Sequence, residues 1–150
     1  MRDAPLFHYT IGYHMPKIYQ DGALRACARH PGSSISVLWL SYHSFWDPSC
    51  VKTVTDDDGA RTIIGIERLI TRGRGIFRFE VTTRQRLYKW SEYVEMSGID
   101  PGFAEHLDVT GRQGGANPDD WRVCLADIPQ ADWVRAQMLQ PELREWRELK

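Results

Sequence analysis

The chain has 150 residues, of which 42% are hydrophobic and 26% charged, and its formal net charge is −1. Those figures describe one globular domain able to build its own core. They argue against a protein that grips nucleic acid by bulk charge, leaving only local patches for that role. No apolar run approaches the roughly 20 residues that span a bilayer. The opening Met1-Arg2-Asp3-Ala4-Pro5 lacks the apolar region of a signal peptide, so the expected setting is cytoplasmic.

Leu6 to Thr10 reads as a first strand, ending in His8-Tyr9-Thr10. A helix is expected over roughly 14–21, with Pro16 near its start and Gly22 just past its end. One histidine and one hydroxyl then stand at a strand end beside a helix N-terminus, where free backbone N–H groups favour polar or anionic ligands. Residues 28–34 carry loop signals. Ser36 to Ser41 is a compact apolar run that suits a buried strand. An aromatic loop follows from Tyr42 to Ser49, with Pro48 biasing Asp47 away from helix.

Thr55 to Gly59 is an acidic turn, and its three adjacent aspartates cannot all face one ion, so no metal is expected there. Residues 60–72 fit strand or helix. Ile76 to Thr82 alternates apolar with polar residues and reads as a strand. Arg84 to Met96 reads as a helix presenting Leu87, Trp90, Tyr93 and Val94, closed by Gly98. Pro101 to Leu107 reads as a short helix and Thr110 to Pro118 as a flexible loop. Trp121 to Leu125 and Trp133 to Leu139 read as strands, and Pro141 to Leu149 as a terminal helix. Short strands with few helices predict an α+β domain: two small, mainly antiparallel sheets forming a central cleft, flanked by short helices.

Cys27, Cys50 and Cys124 are odd in number and form no CxxC pair, which points to free thiols rather than disulfides or zinc. Six tryptophans is a high count, and tryptophan both fills cores and stacks on flat ligands. His14, His30, His43 and His106 show no ligand spacing and read as surface or locally bonded groups. Six arginines lie between positions 68 and 86, near Phe77, Phe79, Tyr88 and Trp90. Such a stretch is either a solvated face or a phosphate-gripping surface.

Three segments concentrate polar and aromatic groups at strand ends: His8-Tyr9-Thr10, Leu38 to Ser41 with Trp46, and Asn117 to Arg122. The Phe-His-Tyr-Thr entry, the short helix ending in Asp-Gly-x-Leu and the Trp-Leu-Ser strand resemble the opening of ADP-ribosyltransferase-type domains. The resemblance implies NAD as substrate. It implies that His8 binds the adenosine ribose, with Tyr9 and Thr10 beside the nicotinamide amide. It places Trp39, Ser41 and Trp46 near the nicotinamide. A late glutamate is usual in that superfamily, and here Asp119, Asp120 and Arg122 stand in its place, beside Trp121. A late arginine is closer to the related RNA 2′-phosphotransferases.

The candidate catalytic residues are therefore His8, Asp120 and Arg122, with His8, Tyr9, Thr10, Trp39, Ser41, Trp46 and Trp121 as candidate NAD-binding residues. Each also has a structural reading: His8 as a satisfied strand histidine, Trp39 as core, Asp119 and Asp120 as turn residues. The implied activity is ADP-ribosyl transfer to a protein or nucleic-acid acceptor, or NAD hydrolysis, as in a toxin or phage-encoded modifier. The alternative is a binding module for nucleotide or nucleic acid that keeps the fold without turnover. Asn117 to Asp120 are expected to form a movable rim on the glycines at 111, 114 and 115.

Overall fold

In β1 (Leu6–Ile11) side chains alternate between two buried faces, and the strand lies at the centre of the molecule. The structure, a computed structural model, describes residues 4–47, 52–55, 58, 59, 61–64 and 70–149. The fold is α+β, and the strand pairings within each sheet are antiparallel. Around β1 run β2 (Ala23–Leu24), β3 (Leu38–Ser41), β4 (Lys52–Thr55), β5 (Arg61–Ile64) and β6 (Ile76–Val81). After them come β7 (Leu87–Lys89), β8 (Trp121–Cys124), β9 (Ile128–Pro129), β10 (Trp133–Gln140) and β11 (Glu145–Glu148). Seven strands form one sheet in the order β11-β10-β6-β1-β3-β8-β7, while β2 pairs with β9 and β4 with β5.

The sheet is not evenly knit. β1 and β6 share six register pairs, and β3 and β8 share four. β1 and β3 are joined by the single pair Phe7↔Ser41. The sheet thus divides into a four-stranded and a three-stranded half that meet at one point and diverge beyond it.

Helices α1 (Met15–Asp21), α2 (Trp90–Ser97) and α3 (Pro101–Gln113) cover the faces. Gly22 ends α1 in the left-handed conformation (φ 63°), which lets its N–H bond back to the carbonyls of Ile18 and Tyr19. Met15 of α1 packs with Leu6, Leu38, Leu40, Phe79 and Cys124 on one face of the sheet. On the other face, Trp121 and Val123 pack with Trp90 and Tyr93 of α2 and Ala104 of α3. A third cluster joins Phe7, Tyr9, Trp46, Ile76 and Leu139. Among the described residues no helix is long and apolar enough to cross a membrane.

Several expected elements take another form. The stretch read as one helix over 84–96 is β7 followed by α2. The backbone is extended at Lys89 (ψ 158°), and Glu92 Oε1 accepts the Lys89 N–H there, which starts the helix. The apolar spacing of Leu87, Trp90 and Val94 mimics a longer helix. α3 extends to Gln113, so Thr110 to Gln113 are helical rather than loop, and Gly111 is a buried helix residue. Residues 141–149 do not form a helix. A turn with Arg144 at φ 53° sends the chain back as β11, antiparallel to β10. Residues 61–64 are strand and 70–72 helical, while 65–69 lie outside the described residues, as do Pro48 to Cys50 and Asp56 and Asp57 of the acidic turn.

Candidate functional site

A cleft of about 810 Å³ opens where β1 and β3 diverge. His8, Tyr9 and Thr10 form one wall, and Leu38, Trp39 and Ser41 the other. Trp46, Asp47 and Trp121 line it as well, and the opening is flanked by His14 just before α1, Lys17 of α1, and Phe103 and His106 of α3. Seven of the sequence-proposed site residues therefore line one cleft: His8, Tyr9, Thr10, Trp39, Ser41, Trp46 and Trp121.

His8 spans the gap between the sheet halves. Its Nδ1 lies 2.8 Å from the carbonyl oxygen of Trp39. A carbonyl only accepts, so Nδ1 carries a proton and donates it there. A side chain here bridges strands where ladder bonds have lapsed, and that fixes the ring in the cleft wall.

The opposite wall is a packed aromatic group. Trp39 lies 5.5 Å from Trp90, 6.0 Å from Tyr93 and 6.2 Å from Trp121, measured between ring centroids. Its indole N–H donates to His30 Nε2 at 3.2 Å, and His30 Nδ1 lies 2.8 Å from the Tyr93 hydroxyl. The indole is a donor only, so His30 Nε2 must accept and the ring is neutral with its proton on Nδ1. Burial pushes its pKa down, in the same direction.

Asp47 is the acid that the sequence reading passed over. It is 1% exposed, and both of its oxygens accept hydrogen bonds. Ser41 Oγ donates to Oδ2 at 2.6 Å and the Trp121 indole to Oδ1 at 3.3 Å. Ser41 Oγ in turn accepts the backbone N–H of His43 at 3.0 Å, which directs its own proton toward the carboxylate. An acid before a proline in a loop carries no sequence signal of this kind. The partner that reveals it, Trp121, lies 74 positions along the chain.

Side chains from three strands of the four-stranded half hold the loop that presents Trp46 and Asp47. The Tyr9 hydroxyl donates to the carbonyl of His43. Arg78 Nη1 donates to that of Ser44 at 2.8 Å, and the Trp146 indole to that of Phe45 at 3.0 Å. Three consecutive carbonyls are thus tied down. Arg78 is itself buried, with its guanidinium carbon 4.0 Å from the Phe7 ring centroid and 4.4 Å from that of Trp146.

The remaining candidates lie elsewhere. Neither Asp120 nor Arg122 is among the cleft-lining residues. Arg122 Nη1 donates to the carbonyls of Asp119 and Trp121, both at 2.7 Å, and its guanidinium sits 5.0 Å from the Tyr42 ring centroid. Asn117 accepts the Asp119 N–H, Pro118 to Asp120 form a short 3-10 turn, and none of these four residues is among those lining the cleft.

Arg68 of the arginine run lies outside the described residues, and the described ones do not form one surface. Arg78 is buried between aromatic rings, Phe79 and Trp90 are core, and Arg86 pairs with Glu92. By contrast His8, His14, His30 and His106, four of the five histidines, come together in the cleft. The cleft also holds Asp21, between Lys17 Nζ at 2.8 Å and Arg25 Nε at 3.3 Å, and these cations hold its carboxyl below the usual range. Among the described residues no group of three or more histidine, cysteine or acidic side chains is placed to hold a metal ion.

No family model, curated protein or solved structure matches the chain.

Proposed function

We propose that the cleft binds NAD and that the chain is an ADP-ribosyltransferase or NAD glycohydrolase. The observation that carries this reading is the divergence of β1 and β3 beyond Phe7 and Ser41, with His8 on one wall and Trp39 on the other. A volume of about 810 Å³ falls within the range of roughly 300–1,000 Å³ typical of small-molecule sites. Trp39, Trp46 and Trp121 supply flat faces for the two ring systems of a dinucleotide. His8 supplies an imidazole on the cleft wall as a hydrogen-bonding partner for ribose hydroxyls.

In the reaction, the bond between ribose C1′ and the nicotinamide nitrogen breaks and its electron pair leaves with neutral nicotinamide. Positive charge develops on the ribose, and water or an acceptor nucleophile bonds to C1′ and releases a proton. Holding the dinucleotide rigidly across both sheet halves contributes orientation. The acceptor is a protein or nucleic acid, and the setting cytoplasmic.

The second reading, a binding module without turnover, is favoured by the place of Asp120 and Arg122 outside the cleft lining. One experiment separates the two. Thermal shift with NAD followed by a nicotinamide-release assay gives binding with release for the enzyme and binding without release for the module. No binding of NAD overturns both.

A further inference from the structure

We infer that Tyr13, Arg72 and Arg74 form a surface for single-stranded nucleic acid at the rim of the cleft, and hence that the acceptor is a nucleic acid. The surface stands on its own observations, and its role as acceptor site rests on the dinucleotide reading above.

Arg74 holds a left-handed backbone (φ 64°) between Gly73 and Gly75. That conformation strains a residue with a Cβ, and such strain persists only where the surroundings fix it. Here hydrogen bonds fix it. The Tyr13 N–H donates to the carbonyl of Gly73 at 3.0 Å, the Gly12 N–H to that of Gly75 at 2.9 Å, and the Gly75 N–H to that of Ile70 at 2.9 Å. Gly12 permits the fit, because a Cβ there would lie 2.0 Å from the Arg74 carbonyl oxygen. The chain therefore keeps an arginine, where its backbone favours glycine, pressed against the turn that carries Tyr13.

The side chains show what this placement presents. The Arg74 guanidinium carbon lies 5.4 Å from the Tyr13 ring centroid, and that ring is 64% exposed. Arg72 and Arg74 are exposed, and neither forms an ion pair among the described residues. By contrast Lys17, Arg25, Arg86, Arg112 and Arg135 each pair with an acid. Free cations beside an exposed ring are the elements by which proteins follow a phosphate backbone and stack its bases. A duplex hides the faces of its bases, so stacking on Tyr13 selects a single strand.

The surface adjoins the cleft. Ile11 and His14, which bracket Gly12 and Tyr13 in the chain, both line it. A strand stacked on Tyr13 therefore passes the cleft mouth. In the dinucleotide reading, an N–H nitrogen of a base bonds there to ribose C1′. Nicotinamide leaves with the electron pair of the broken bond, and the base loses its proton to solvent.

The test measures anisotropy of fluorescein-labelled single strands of DNA and of RNA, each containing all four bases, over a range of salt concentrations. The wild type is expected to bind a single strand, and a duplex of the same length about fivefold more weakly. A preference between the two strands identifies the sugar. Arg74→Gly relieves the backbone strain while removing the cation, so weaker binding there is not loss of fold. Combined with Arg72→Gln, it is expected to weaken binding about tenfold and to flatten the salt slope by about 0.7 for each arginine. Tyr13→Ala is expected to weaken binding about fivefold at unchanged slope, and Tyr13→Phe to retain it. The inference is overturned if no single strand binds at low salt, or if the double variant or Tyr13→Ala binds as the wild type does. Binding of polyglutamate as tightly as the strands overturns it too, since that marks a surface for acidic protein. NAD radiolabelled on its adenylate then reads the acceptor role. Label on the strand with wild type, lost in the double variant, supports it. Strand binding and nicotinamide release without labelled strand overturn the acceptor role alone. Strand binding without NAD binding leaves the surface standing while the dinucleotide reading falls.

Discussion

Ser41 pairs with Phe7 across the one register position that joins β1 to β3, and the same Ser41 donates its hydroxyl proton to Asp47. The backbone pairing that joins the sheet halves and the hydroxyl that holds the buried carboxylate therefore belong to one residue. Shortening it to alanine takes this donor from Asp47 Oδ2, and a buried acceptor that loses a partner costs about 1–3 kcal/mol. Chemical denaturation of Ser41→Ala is expected to show that loss with an unchanged m-value.

His8→Ala removes a side chain that crosses the cleft from one sheet half to the other. Loss of one net hydrogen bond is about 1 kcal/mol of stability. Loss of the ribose contact is expected to weaken NAD binding about tenfold. Calorimetry and thermal unfolding on the same preparation check both. A variant that unfolds outright would return His8 to a purely structural role.

Arg122→Lys keeps the charge and removes the fork. Because Arg122 donates to the carbonyls of Asp119 and Trp121, outside the cleft lining, NAD affinity and turnover are expected to stay within about twofold of wild type. A large fall in turnover would restore Arg122 to the site.

Gly111→Ala is expected to destabilise the protein even though alanine is the better helix former by about 1 kcal/mol. A Cβ at this position would lie 2.8 Å from two ring carbons of Trp121, so α3 or the indole must move. Overpacking of this kind costs about 1–3 kcal/mol. Near-ultraviolet circular dichroism should report the displaced indole, along with a lower melting temperature.

Stability is expected to fall as pH drops below 6.5, the ordinary value for His30. Burial holds the folded pKa below that value, so between the two values the unfolded chain binds the proton more readily than the folded one. The contribution is fully present above 6.5 and is lost as pH falls toward the folded value. Protonation also turns Nε2 into a donor facing the Trp39 indole N–H, which is itself a donor. Unfolding free energies of wild type and His30→Gln from pH 5 to 8 should differ in slope, the variant being flatter.

What the sequence carries and what it withholds divide along the range of the interactions. β1, α1, β6 and β8 were legible because local alternation, Pro16 and Gly22 specify them within a few residues. The strand end His8-Tyr9-Thr10 and the aromatic residues of β3 were legible as candidates for the same reason. β7 was hidden because Leu87 shares the spacing of the helix that follows it. β11 was hidden because its identity depends on a turn at Arg144 and on Trp146 reaching Phe45, 101 positions away. Asp47 and the convergence of His14, His30 and His106 had no local signature. They become neighbours of His8 only when the two sheet halves are laid side by side.

The pairing pattern of β1 has a mechanical meaning. A sheet knit by six register pairs on one side and by one on the other has a seam, and the cleft lies along it. Cooperative units in proteins come apart first where fewest contacts cross. The two sub-sheets are therefore expected to flex about Phe7 and Ser41 as two covers flex about a spine. A molecule lodged in the cleft touches both covers and acts as a clasp, so occupancy of the site and rigidity of the fold rise together. Amide exchange in β1 and β3 then becomes a gauge of ligand binding in its own right.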